Sequence, residues 1–115
     1  MREDGKIDYV EFRGPDMAAI QAFYAGAFGW RFTPYGPAYA AFDQGLEGGF
    51  DTGSEPHAAS PLIVLYAHDL EAMQAKVETA GGRVPVPIYA FPGGRRFHFT
   101  DPAGNLLAVW SDKSI

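Results

Sequence analysis

The stretch "HDLEAMQAKVETAGG" (68–82) repeats an earlier stretch, "PDMAAIQAFYAGAFG" (15–29), and this repeat decides how the chain is organised. Matching residues stand 53 positions apart, as Asp16 and Asp69 do. Each aspartate can accept hydrogen bonds from the free amide groups of a helix's first turn. Apolar residues follow at helical spacing, and each stretch closes on glycine, which often ends a helix. Both stretches are therefore predicted to be helices.

Strand-like segments flank each predicted helix in the same order. One strand precedes each helix, at 6–13 and 61–67, and three shorter ones follow it. These lie at about 30–34, 38–43 and 47–51 in the first repeat, and at about 83–90, 95–100 and 105–111 in the second. Turn-forming sequences such as "DPAGN" separate them. The pattern predicts one domain, residues 1–115, made of two βαβββ repeats: about 6–51, a linker at 52–60, and about 61–112.

Composition excludes several classes of function. A chain of 115 residues is typical of a single globular domain. Its net charge of −5 argues against nucleic acid or an anionic membrane as a partner. It has no cysteine, which excludes thiol chemistry, and no stretch approaches the ~20 apolar residues of a membrane span. The start "MREDGKIDYV" lacks the apolar core of a signal peptide, so we expect a cytoplasmic protein.

Two motifs carry a resemblance to a known family. "FYAGAFGW" (23–30) and "FHFTDPAGNLLAVW" (97–110), with the helix 68–82 between them, resemble the vicinal oxygen chelate superfamily. That superfamily includes glyoxalase I, extradiol dioxygenases and the fosfomycin and bleomycin resistance proteins, and the resemblance covers nearly the whole chain. It implies an α+β fold in which two βαβββ repeats form a curved, cup-like mixed sheet with helices on the outer face. It does not imply one activity, because one fold hosts several chemistries.

The resemblance also indicates where a metal would be held. In metal-dependent members, ligands come from the first and last strands of each repeat, which here correspond to Tyr9, Leu62, Ala108 and a residue within 48–50. Alanine and leucine cannot ligate, and zinc and iron favour imidazole or carboxylate. We therefore expect no metal and no other cofactor. A displaced site built from Glu11 and His98 is the alternative.

Side chains alternate along strands, which divides each strand into two faces. One face is apolar and is predicted to pack on the helices; it carries Val10, Phe12, Leu65, Phe97 and Phe99. The other face mixes aromatic and polar groups and is predicted to line a cavity. Its predicted ligand-binding residues are Tyr9, Leu62, Tyr66, Arg96 and Trp110, and its predicted catalytic residues are His98 and Glu11.

Each of these residues also has a purely structural interpretation. Histidine as a residue type can exchange a proton near neutral pH, so His98 could be a general base, or it could fill space and hydrogen-bond a neighbour. Arg96 could bind a carboxylate or phosphate, or pair internally with Glu11. The aromatic residues Tyr9, Tyr66 and Trp110 could line the cavity or fill the core.

Three functions follow from these alternatives. The preferred one is binding of a small, partly aromatic or anionic metabolite in the sheet cavity. The second is a metal-independent lyase, isomerase or hydrolase that uses His98 and Glu11 as acid and base. The third is a non-catalytic dimerisation module. A homodimer is predicted in each case, because an open cup leaves strand edges and an apolar rim exposed.

Overall fold

The structure is a computed structural model, and it describes residues 2–53 and 61–113. Most of the predicted linker, residues 54–60, lies outside the described residues. The chain divides into two compact units: the first unit is Tyr9–Leu62, and the second unit is Met1–Asp8 together with Ile63–Ile115. The single-domain boundaries drawn from the sequence stay a prediction.

The order of elements repeats as predicted. The first repeat consists of β1 (Ile7–Arg13), α1 (Met17–Phe28), β2 (Thr33–Pro34), β3 (Tyr39–Asp43) and β4 (Glu47–Asp51). The second consists of β5 (Leu62–Tyr66), α2 (Leu70–Thr79), β6 (Arg83–Phe91), β7 (Gly94–Thr100) and β8 (Leu106–Ser111). The strands run in the order β2-β3-β4-β1 in one repeat and β5-β8-β7-β6 in the other. In each repeat the first and last strands pair in parallel and the other pairs are antiparallel. The α+β class is confirmed.

The helix boundaries follow the predicted capping. The Asp16 carboxylate accepts a hydrogen bond from the Ala19 amide at 3.1 Å, and Asp69 accepts one from Ala72 at 3.0 Å. Gly29 ends α1 in the left-handed region, with φ of 72°. These contacts satisfy backbone groups that a helix end leaves without intrahelical partners.

Strands β2 and β5 differ most from their predicted ranges, and both are shorter than the sequence predicts. β2 is limited to Thr33–Pro34, because Trp30 packs its ring on Phe42, with ring centroids 4.8 Å apart, instead of extending the strand. β5 begins after Pro61, whose nitrogen has no hydrogen to donate to a neighbouring strand.

Each unit has its own core, on the strand face that the alternation predicts. In the second unit, α2 packs its Leu70 against Phe97 and Val109, both fully buried, with Leu65 and Phe99 partly buried beside them. In the first unit the core is aromatic: Phe12 stacks on Phe50 at 5.1 Å, and Tyr24 stacks on Trp30 at 4.7 Å. The opposite strand faces are therefore left to carry the candidate site residues.

Candidate functional site

Strand register aligns one row of side chains across the second unit's sheet. Tyr66 lies opposite Trp110, Trp110 opposite Arg96, and Arg96 opposite Tyr89. Residues directly opposite on paired strands share a face and contact one another. The row therefore brings together three predicted ligand-binding residues, Tyr66, Arg96 and Trp110. His98 belongs to the adjacent row, opposite Ala108 on one side and Val86 on the other.

Tyr89 links the guanidinium and the imidazole of this face. Arg96 Nε donates a hydrogen bond to Tyr89 Oη at 2.6 Å, and the same hydroxyl lies 3.1 Å from His98 Nε2. Because a guanidinium only donates, the tyrosine oxygen accepts from Arg96, and its own hydrogen can be donated to His98. In that arrangement Nε2 of His98 is an acceptor and the ring hydrogen sits on Nδ1. His98 is 7% exposed, so the hydrogen bond holds a largely buried ring.

Aromatic rings and arginines alternate on the same face. The Arg96 guanidinium lies 5.8 Å from the Tyr89 ring centre and 5.6 Å from that of Phe91. The Phe91 ring lies 6.3 Å from Trp110, and the Arg2 guanidinium lies 5.0 Å above Trp110. Cations at this distance are attracted to the ring faces. The face thus offers positive charge next to flat apolar surface.

Two predicted ligand-binding residues already have partners for their polar tips. The Tyr66 hydroxyl donates to Asp112 Oδ1 at 2.6 Å, and this hydrogen bond raises the pKa of Tyr66 to about 12. Trp110 Nε1 donates to Asp8 Oδ2 at 2.9 Å. A ligand on this face would therefore meet the ring surface of Trp110 rather than its indole N–H. Leu62, another predicted ligand-binding residue, is buried at the start of β5.

The first unit carries a polar network around Glu11, which is 3% exposed. Tyr39 donates to Glu11 Oε2 at 3.3 Å, and Arg13 donates to Glu11 Oε1 at 3.2 Å. The Tyr9 and Tyr39 hydroxyls lie 2.6 Å apart, so Tyr9 donates to the Tyr39 oxygen while Tyr39 donates to Glu11. Burial is the main cause that raises the pKa of both tyrosines, and the nearby charge of Glu11 adds to it. Both are therefore protonated phenols that act as hydrogen-bond donors.

The residues at the family's ligand positions do not fit a metal. The Tyr9 hydroxyl is bonded to Tyr39, and Leu62 and Ala108 have no donor atom. At Gly49, a Cβ would collide with the hydroxyls of Tyr39 and Tyr9, so that position accommodates the two phenols and has no room for a ligating side chain. Within residues 2–53 and 61–113, no three histidine or acidic side chains are grouped as metal ligands. The absence of a bound metal stays a prediction.

Three site residues were missed by sequence reasoning: Arg13, Tyr39 and Tyr89. Arg13 could have been found, since it follows Tyr9 and Glu11 at a spacing of two on one strand face. Tyr39 and Tyr89 required knowledge of strand register. The register of β6 against β7 is regular from Tyr89 to the turn that follows Phe91, so counting back from that turn places Tyr89 opposite Arg96.

The remaining sequence expectations are not decided by these contacts. The predicted convergence of Tyr9, Glu11, Tyr66, Arg96 and His98 on one cavity stays a prediction, and so does the pairing of Arg96 with Glu11. Among the helices within the described ranges, none is long and apolar enough to cross a membrane.

The sequence of this chain matches a family model and is similar to several known proteins. The family model of the Glyoxalase/Bleomycin resistance protein/Dioxygenase superfamily matches residues 6–109. The anthracycline biosynthesis protein DnrV of Streptomyces peucetius is 31% identical over 128 aligned positions, which cover 92% of this chain and 46% of DnrV. The putative glyoxylase CFP32 of Mycobacterium tuberculosis is 27% identical over 124 positions, covering 92% of this chain and 45% of CFP32.

A solved structure is similar in fold and sequence. The Mn(II)-bound glyoxalase from Novosphingobium aromaticivorans superimposes with a TM-score of 0.66 at 29% identity, over 97% of this chain and 40% of that one. The chain spans about half the length of the curated relatives it matches. The family match extends over nearly the whole chain and agrees with the repeated βαβββ order, so the chain belongs to the Glyoxalase/Bleomycin resistance protein/Dioxygenase superfamily.

Proposed function

We propose that this chain binds a small, partly aromatic or anionic metabolite on the second-unit sheet face that carries Arg96. The observation that supports this most is the 2.6 Å hydrogen bond from Arg96 Nε to Tyr89 Oη. It holds the guanidinium in place before any ligand arrives. A side chain that is already ordered loses less conformational entropy on binding, which favours affinity.

The chemistry of the face suggests the class of ligand. A guanidinium binds carboxylates and phosphates through two parallel hydrogen bonds. The rings of Tyr89, Phe91 and Trp110 give flat surface on which a planar ligand can stack. The relative DnrV is named for anthracycline biosynthesis. Because the face combines a guanidinium with aromatic rings, aromatic acids are the first ligands to test.

The test uses naphthoate as an aromatic anion and methyl naphthoate as its uncharged analogue, with binding measured by calorimetry. We expect naphthoate to bind more tightly than the ester. Arg96→Ala should weaken naphthoate binding by about 1.5–3 kcal/mol, the scale of a hydrogen bond to a charged group. The ester's affinity should change much less.

Arg95 is the matched control for Arg96. It carries the same charge one residue away, but it donates to Glu71 of α2 at 2.6 Å and 3.1 Å. We expect Arg95→Ala to retain naphthoate binding. Equal losses in both variants would mean that the acid is attracted by overall charge, and the proposed site would be wrong. Failure of the wild type to bind any aromatic acid would also contradict it.

A metal-independent lyase or isomerase is the second candidate, and the environment of His98 favours it. His98 is largely buried and its Nε2 is hydrogen-bonded, so the ring is held in one orientation, as proton transfer requires. His98→Ala separates the two functions. Loss of turnover with retained binding would support the enzyme, whereas loss of binding in a protein with no turnover would support a binding protein.

A further inference from the structure

The residues that precede β1 lie along strand β5 and are held there by backbone hydrogen bonds. The Gly5 amide donates to the Tyr66 carbonyl oxygen at 2.8 Å, and the Tyr66 amide donates to the Lys6 carbonyl oxygen at 3.2 Å. This pairing brings the guanidinium of Arg2 to 5.0 Å from the ring centre of Trp110. Arg2 therefore lies beside the sheet face that is proposed to bind a ligand.

The guanidinium of Arg2 is anchored in the same way as that of Arg96. Arg2 Nε donates to Asp8 Oδ2 at 3.3 Å, and Arg96 Nε donates to Tyr89 Oη at 2.6 Å. A hydrogen bond from Nε orders a guanidinium without using its two terminal nitrogens. The edge formed by those two nitrogens matches the two oxygens of a carboxylate.

The two guanidiniums lie against adjoining aromatic rings. Arg2 lies over the Trp110 ring, and the Arg96 guanidinium lies 5.6 Å from the Phe91 ring centre. The ring centroids of Trp110 and Phe91 are 6.3 Å apart. Two ordered positive groups are therefore separated by a pair of neighbouring rings in the second unit.

Asp8 orients Arg2 without covering it. The same carboxylate oxygen that accepts from Arg2 also accepts from Trp110 Nε1 at 2.9 Å, so Asp8 fixes the guanidinium relative to the ring. The Arg2 side chain is 43% exposed, and an ion pair this exposed contributes little free energy. Within residues 2–53 and 61–113, no acceptor is bonded to the terminal nitrogens of Arg2.

We infer that the ligand of this face is an aromatic diacid, with one carboxylate bound by Arg96 and the other by Arg2. This inference rests on the proposed function and adds the second acid group to it. The chain as a whole is acidic, with 14 acidic and 9 basic side chains, so its general charge does not attract a dianion. Recognition of the second carboxylate therefore requires a local group, and Arg2 is the ordered guanidinium next to the rings.

The experiment compares naphthalene-2,6-dicarboxylate with its monomethyl ester, which has the same ring system and one carboxylate. Binding of both to the full chain is measured by calorimetry at fixed ionic strength. We expect the diacid to bind at least about tenfold more tightly than the monoester, the lower end for a hydrogen bond to a charged group. Arg2→Ala should reduce the affinity for the diacid to that for the monoester, and should leave the affinity for the monoester unchanged.

Lys6 provides the matched control for Arg2. It carries the same charge four residues away, and its contacts with β5 are made by its backbone. Lys6→Ala should therefore keep the preference for the diacid. Circular dichroism checks that both variants are folded, which is expected because both side chains are exposed.

Three results would overturn the inference while the proposed function stands. The first is a wild type that binds the monoester as tightly as the diacid. The second is an Arg2→Ala variant that weakens both probes equally, which would make Arg2 a support for Trp110 only. The third is an equal loss of diacid preference in Lys6→Ala. A wild type that binds neither probe nor naphthoate would instead contradict the proposed function, and the inference with it.

Discussion

At the scale of single residues, Tyr39 connects the polar network of the first unit. Its hydroxyl lies 2.6 Å from that of Tyr9 and donates to Glu11 at 3.3 Å. Glu11 is almost fully buried, so each hydrogen bond it accepts offsets part of the cost of removing its carboxylate from water. Gly49 leaves the space that both hydroxyls occupy.

We expect Tyr39→Phe to destabilise the protein by about 1–3 kcal/mol, since it leaves buried polar groups with one partner fewer. Urea unfolding followed by circular dichroism measures the change. Tyr35→Phe is the control, because Tyr35 is 66% exposed and its loss should cost at most about 0.5 kcal/mol. Similar stabilities for the two variants would show that the network contributes nothing.

The Tyr66–Asp112 pair predicts a dependence of stability on pH. The hydrogen bond raises the pKa of Tyr66 from 10.0 to about 12 and lowers that of Asp112. The raised tyrosine pKa contributes stability that is fully present below pH 10 and is lost as pH rises through about 12. The lowered aspartate pKa contributes stability that is present above its usual value of 3.8 and is lost as pH falls through the lowered one.

The substitution Tyr66→Phe tests the effect of this hydrogen bond on the pKa of Asp112. We expect the pKa of Asp112 to rise in the variant, because the carboxylate loses the donor that favours its charged form. NMR titration of the Asp112 carboxyl carbon measures it, with Tyr35→Phe as a control that should leave the titration unchanged. If the pKa of Asp112 is the same with and without the Tyr66 hydroxyl, the hydrogen bond from Tyr66 is not the cause of the lowered pKa.

At the scale of elements, strand β7 separates core from candidate site by alternation alone. Phe97 is fully buried against α2 and Phe99 is partly buried beside it, whereas Arg96 and His98 bond to Tyr89 on the opposite face. The sequence predicts that truncating Phe99 costs as much as truncating a large core residue. The structure assigns the fuller burial to Phe97.

We expect Phe97→Ala to destabilise by about 3–5 kcal/mol, the range for large buried aromatic residues. Phe99→Ala should cost less, because its ring is only partly buried and borders a small apolar cavity lined by Met73 and Val77. Thermal or urea unfolding of both variants gives the comparison. A larger cost at Phe99 than at Phe97 would contradict the assigned burial.

At the scale of the whole molecule, the chain combines the family fold with poor metal ligands at the positions where the sequence resemblance predicts a metal site. Leu62 and Ala108 cannot ligate, and Tyr9 is a protonated phenol bonded to Tyr39. The similar glyoxalase from Novosphingobium aromaticivorans is described as Mn(II)-bound. The absence of metal chemistry in this chain stays a prediction.

We expect the purified protein to hold no stoichiometric zinc, iron, nickel or manganese by elemental analysis. Added Mn(II) should leave its melting temperature unchanged, since binding to the folded state alone would raise it. Mg²⁺ serves as the control for general ionic effects. Stoichiometric metal that a chelator removes, with loss of ligand binding, would prove this expectation wrong.

The sequence alone determined the features that depend on neighbouring residues. Asp16 and Asp69 begin the helices and Gly29 ends one, because caps form through hydrogen bonds within a few residues. The split of β7 into a core face and a polar face follows from the twofold period of a strand. The repeated βαβββ order could be read from these local signals.

Tertiary structure decided which polar groups meet. Tyr39 reaches Glu11 only because β4 lies between β3 and β1 in the first unit. Tyr89 reaches Arg96 and His98 because the antiparallel pairing of β6 with β7 sets it opposite Arg96, with His98 two residues further along β7. Register is set by pairing between residues far apart in the chain and by packing of a whole face, so a one-residue change would reverse which side chains meet.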